Sequence, residues 1–116
     1  MKKTKRFVSN PNDTLSEITK VISPNIQDNA DQLNAKVQQA IDHYTNNEIN
    51  DALRTIKHLL PKHPNIAILY TIKGTCLAKK QQFDLVIDQY KLALKITPEN
   101  GDIYYNLGNA YLKKAL

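Results

Sequence analysis

The sequence is poor in the residues that most often announce a site. Of 116 residues, one is cysteine, none is tryptophan and three are glycine. A lone Cys76 excludes an intramolecular disulfide. Gly74, Gly101 and Gly108 stand apart from one another, so there is no glycine-rich loop to cradle a phosphate. Five prolines and so few glycines exclude a collagen-like or low-complexity chain. No stretch approaches the ~18 uninterrupted apolar residues of a membrane-spanning helix. The basic start Met1-Lys2-Lys3-Thr4-Lys5-Arg6 is followed by Phe7-Val8-Ser9-Asn10-Pro11, not by the apolar run of a secretory signal. A reducing, cytoplasmic setting is therefore expected, in which Asn12-Asp13-Thr14 matches a glycosylation acceptor only by chance.

What is present is ordinary for a globular protein: 41% hydrophobic and 23% charged residues. The net charge of +5 is not a nucleic-acid footprint. Lys2, Lys3, Lys5 and Arg6 supply four of the sixteen cations, and only Arg6 and Arg54 offer the guanidinium fork that reads guanine or clamps phosphate. A solvated surface with a short basic tail accounts for the charge, and nucleic acid is not an expected partner.

Residues 1–13 are polar and basic and are expected to be disordered. Thr14-Leu15-Ser16-Glu17 has capping-box spacing, which predicts a short helix over 14–22 that Ser23-Pro24-Asn25 ends. From Asp31 the pattern changes. Leu33, Val37, Ala40, Ile41 and Tyr44 recur at three and four, the period of an amphipathic helix. Ile49 to Leu60, Ile66 to Leu77, Phe83 to Ile96 and Ile103 to Ala115 repeat that period. Asn46-Asn47, Pro61 with Pro64, Lys79-Lys80-Gln81-Gln82 and Thr97-Pro98-Glu99-Asn100-Gly101 separate them. No segment alternates as a strand does, so the chain is predicted to be all-α.

The step from Pro64 to Pro98 is a period, because the pattern between them shifts onto itself by that length. Tyr70, Gly74 and Leu77 map to Tyr104, Gly108 and Tyr111; Phe83, Val86, Tyr90 and Ala93 map back to Ile49, Ala52, Ile56 and Leu59. This resembles the tetratricopeptide repeat, a 34-residue helix–turn–helix unit. The resemblance covers residues 31–116 and implies an α-solenoid of antiparallel helix pairs with about two and a half units: 33–66, 67–100 and a partial 101–116. Five main helices would follow a basic, flexible leader over 1–30. Gly74, Gly108 and Ala40 would be small where a paired helix crosses closely, with Ala52 and Ala93 alike on the second helices. Tyr70, Tyr104, Tyr90 and Ile56 would fill the gaps between helices. The first unit departs most from the pattern, with Lys36 for an aromatic and Gln39 for leucine, as a terminal repeat does.

No active site is legible. His43, His58 and His63 are scattered, and with Cys76 they do not supply the three or four convergent ligands of a zinc site. Neither a metal nor a cofactor is expected, and Cys76 lacks the environment of a nucleophile. The resemblance instead implies a non-catalytic scaffold that binds protein or peptide along the concave face of its first helices. The residues so placed are Gln38, Ile41, Thr71, Thr75, Tyr105, Asn106, Asn109 and Lys113, with Ile68, Ile72, Lys79 and Asp102 beside them. Asn106 and Asn109 suit a peptide backbone, since each amide donates and accepts. The places at which some relatives grip an acidic chaperone tail hold Val37, Ile41, Ile72, Asp102 and Asn106; only Asn106 suits an amide-type contact, and Asp102 would repel such a tail.

The partial third unit leaves Tyr104, Leu107, Tyr111, Leu112 and Leu116 without a second helix. Two expectations follow: the chain is cut from a longer array, or the last helix docks on a second copy. The family also supplies the N-terminal parts of bacterial glycosyl- or sulfotransferases, so an alternative is a larger enzyme whose catalytic domain lies beyond Leu116. The Lys-, Asn- and Ile-rich usage fits a bacterial source.

Overall fold

A computed structural model of the chain describes the backbone of residues 24–116 and the side chains from residue 29 onward. The helix expected over 14–22 and the disorder expected over 1–13 fall outside the described residues. Five helices and no strand occur among those described: α1 (Pro24–Thr45), α2 (Ile49–Leu59), α3 (Ala67–Lys79), α4 (Phe83–Ile96) and α5 (Gly101–Ala115). The fold is all-α.

The chain divides into two units, residues 1–35 and 36–116. The described part of the first is the N-terminal half of α1. That helix begins at Pro24, ahead of the expected Asp31, so residues 24–30 are helical rather than leader. Proline suits a first helical position because its φ is already helical and its missing N–H would have no partner there. Pro24, expected as part of a stop, is thus a start.

The second unit holds the core. In it α2 packs on α3, α3 on α4 and α4 on α5. Leu77 of α3, Val86, Ile87 and Tyr90 of α4, and Ile103 and Ala110 of α5 meet in one buried cluster, with Phe83, Leu94 and Leu107 packed against it. Burying each large side chain of this kind contributes roughly 1.5–3 kcal/mol. Tyr70 also packs against the cluster, and its hydroxyl donates to the Pro64 carbonyl at 2.7 Å, tying the α2–α3 connection to α3.

The repeat period is written in the backbone. Asn47 and Gln81, one period apart, are the non-glycine residues with positive φ among those described, at 63° and 61°. Around Asn47, its N–H bonds to the Tyr44 carbonyl at 3.0 Å and the Glu48 N–H to the His43 carbonyl at 2.7 Å. Around Gln81 the same two bonds recur, from Gln81 to Ala78 at 3.0 Å and from Gln82 to Leu77 at 3.1 Å. Both turns are Schellman caps, whose crossed bonds satisfy the last carbonyls of the helix and require a left-handed residue at the corner.

The expected close crossing exists at Gly74. A Cβ placed there would lie 2.7 Å from Tyr90 Cε1 and 3.0 Å from Cδ1, so the tyrosine ring of α4 seats directly on the glycine. Ala40, Ala52 and Ala93 are fully buried, as small residues at helix crossings should be. Gly108 is different. Nothing lies within 4 Å of a Cβ added there, because no described element crosses α5 at that point. Gly101, expected within the stop, is instead the first residue of α5. The Asn100 side chain caps that helix by accepting from the Asp102 and Ile103 N–H groups at 3.0 and 3.3 Å.

Candidate peptide-binding face

The first helices of the repeat pattern are α1, α3 and α5, and the residues expected to meet a ligand fall into three different states. On α1, Gln38 is exposed, but its amide already donates to Asp42 Oδ1 at 2.9 Å. Ile41 is half-buried, and its carbonyl accepts the Thr45 hydroxyl at 2.9 Å.

On α3 the hydroxyls are spent. Thr71 donates to the Ala67 carbonyl at 3.2 Å, one turn back in its own helix. Thr75 donates to the Thr71 carbonyl at 2.9 Å and stands 3.1 Å from the Tyr90 hydroxyl. Having one proton, Thr75 gives it to the carbonyl and accepts from Tyr90. Burial holds the Tyr90 phenol above its ordinary pKa, so it remains the protonated donor. Ile72, placed on the concave face by the resemblance, is only 8% exposed and belongs to the core. Ile68 is exposed, and Lys79 sits with its ammonium 5.7 Å from the Tyr44 ring centroid, a cation–π contact between the ends of α3 and α1.

On α5 the side chains are available. Asp102, Asn106, Asn109 and Lys113 follow at four, three and four residues and so form one stripe along the helix. Asn106 is half-buried and the other three are exposed. Tyr105 beside them is 71% exposed. Among the described residues, Tyr105, Asn106, Asn109 and Lys113 make no side-chain hydrogen bond. The adjacent Lys114 is engaged, at 2.7 Å from Asp84 Oδ1.

Two further groups bear on chemistry. Cys76 is fully buried, and burial pushes its thiol up to about 11, so it stays protonated and unreactive near neutral pH. His43, Glu48 and Asp51 bring ligand atoms within 4.8 Å of one another, a grouping that counting histidines and cysteines alone did not find. His43 Nδ1 lies 2.8 Å from Glu48 Oε1, and Arg54 Nη1 lies 2.5 Å from Asp51 Oδ1, so both carboxylates already have partners on the chain. The first of these contacts ties the α1–α2 turn.

Five helices that alternate around Schellman turns at a fixed period define a helical-repeat fold. Residues 74–114, from the glycine under Tyr90 through α4 to the end of α5, match the family model of the TPR repeat. This stretch is similar to the tetratricopeptide repeat. No curated protein matches the chain. No described helix is long and apolar enough to cross a membrane.

Proposed function

We propose that the chain is a non-catalytic scaffold that binds an extended segment of another protein, and that α5 supplies the decisive contacts. The observation that carries this reading is the contrast between α3 and α5. The hydroxyls of Thr71 and Thr75 are committed to their own fold, whereas Asn106 and Asn109 keep donors and acceptors free on one stripe, flanked by an exposed tyrosine ring and Lys113. Two amides at that spacing can each pair with a peptide group of an extended strand, and the Tyr105 ring offers an apolar wall without internal packing to lose. Gln38 and Ile41 on α1 extend the face. The reading places the chain in a reducing, cytoplasmic setting, with which its lone unpaired cysteine agrees. A second copy of the chain is the other partner in this reading, through the exposed Tyr104, Tyr111, Leu112 and Leu116; Leu107, expected to be open with them, is half-buried against the core.

The test is selection of peptides from a displayed random library on the full chain, followed by titration of synthetic binders against variants. Asn106→Ala with Asn109→Ala should weaken the selected peptides by at least about tenfold, the loss of two hydrogen bonds at roughly 1 kcal/mol each. Thr71→Val should leave their affinity within about twofold, since its hydroxyl faces its own helix. Peptides that bind the double variant as tightly as the native chain would move the site away from α5.

A further inference from the structure

The polar stripe of α5 carries a charge at each end, Asp102 and Lys113, with Asn106 and Asn109 between them. Neighbouring charges are engaged within the fold. Lys79, one period before Lys113, lies 5.7 Å from the Tyr44 ring centroid, and Lys114 holds Asp84 at 2.7 Å. Asp102 and Lys113 are both exposed, and among the described residues neither side chain has a hydrogen bond or ion pair. Eleven residues separate them, three turns and about 20° of helix, so they leave α5 in the same direction. Along the axis their Cα atoms are about 16 Å apart, too far for either charge to neutralise the other. Each also complements the dipole of α5, Asp102 in the first turn and Lys113 in the last, but that role requires neither a shared face nor a fixed spacing.

We infer, on the peptide-binding reading proposed above, that the extended segment bound along α5 carries one basic and one acidic side chain four residues apart. A segment charged with one sign alone meets repulsion at one end of the stripe: an acidic one at Asp102, a basic one at Lys113. A segment carrying both signs is attracted at both ends, and its uncharged middle lies over the two asparagines.

Geometry sets the spacing. Side chains of an extended strand alternate, so two that both face α5 are an even number of residues apart. At about 3.3 Å per residue, four residues span about 13 Å and six about 20 Å. Helical side chains lean toward the N-terminus, and the long lysine is carried further that way than the short aspartate. The two charged groups of α5 are therefore closer together than their Cα atoms, which selects four over six. The peptide residue midway between the charged pair also faces α5. It meets Asn106 and Asn109 with the exposed Tyr105 ring to one side, so a small or apolar side chain fits there while the amides take the flanking peptide groups.

Selection from the displayed random library on the full chain tests it. Peptides that require Asn106 and Asn109 should be enriched in Lys or Arg four positions from Asp or Glu, in either order, because the order reports only the direction of the peptide. Asp102→Asn and Lys113→Gln should each weaken such a peptide by about two- to fivefold at low salt, and about 0.5 M salt should remove most of that difference. Charge reversal changes the partner itself. Selection on Lys113→Glu should yield two basic residues four apart, and on Asp102→Lys two acidic ones. Both positions are exposed and without partners in the fold, so circular dichroism should show every variant as helical as the native chain. Binders that depend on the two asparagines but lack a charge pair at that spacing, or pairs unmoved by the reversals, would overturn the inference and leave peptide binding on α5 standing. Binders indifferent to the asparagines would remove both.

Discussion

Adding one methyl group at either of two glycines in the same repeat position should change stability in opposite directions. In an open helix position, glycine to alanine stabilises by about 1 kcal/mol, because alanine loses less backbone entropy on folding. At Gly108 that is the whole effect, since an added Cβ meets nothing within 4 Å. At Gly74 the Cβ would sit 2.7, 3.0 and 3.2 Å from three atoms of the Tyr90 ring. That ring cannot easily yield. Tyr90 is 3% exposed, Val86 and Ala93 on its own helix are fully buried, and its hydroxyl is held 3.1 Å from Thr75. Overpacking of this kind costs roughly 1–3 kcal/mol, and a shift that breaks the Tyr90–Thr75 hydrogen bond adds about 1 kcal/mol. After the propensity gain, Gly74→Ala should destabilise by about 1–3 kcal/mol and Gly108→Ala should stabilise by about 0.5–1 kcal/mol. Urea unfolding followed by circular dichroism, at a few micromolar chain so that association does not contribute, reads both. Replacing Tyr90 by leucine in the Gly74→Ala background should recover part of the loss relative to the leucine variant alone. If Gly74→Ala stabilises the chain as Gly108→Ala does, the seating of Tyr90 on Gly74 is wrong.

Gln81 bears the cost of a left-handed corner with an ordinary side chain. Gln81→Gly should therefore raise stability by about 0.5–1 kcal/mol in urea unfolding, while Asn47→Gly, where asparagine already tolerates φ 63°, should change it by less. Cys76 supplies a pH signature. Its folded pKa is raised to about 11, so the unfolded chain releases that proton first as pH rises. The contribution is fully present below the ordinary thiol range and falls as pH climbs toward 11, and a Cys76→Ala variant should lack this alkaline component. At neutral pH the thiol should react with an aromatic disulfide reagent only as fast as the chain opens; labelling at the rate of a free thiol in native buffer would contradict its burial.

How much of this was legible depended on whether a property repeats along the chain or is set by what lies across from a residue. The helices were legible because apolar residues at three and four, broken by Asn46-Asn47, Pro61 and Pro98, encode helix and stop locally. The period was legible because the same sizes recur at one fixed interval. The Schellman corners were not, since Gln81 carries no mark of positive φ; only its place one period after Asn47, a residue that tolerates that conformation, points to it. Ile72 and the hydroxyls of Thr71 and Thr75 show the limit for the site. The family resemblance places them on a ligand-facing side, yet burial claims the isoleucine, and carbonyls one turn back claim the threonine protons. The two glycines sharpen the point. Gly74 and Gly108 occupy one register and stand for one design, a groove cut to receive a crossing helix. On α3 that groove holds Tyr90, where added bulk is destabilising; on α5 it is open, where the same bulk is harmless to the fold. An open groove of this design is not needed to hold its own helix, because Ile103, Leu107 and Ala110 already anchor α5 to α4 from the other side.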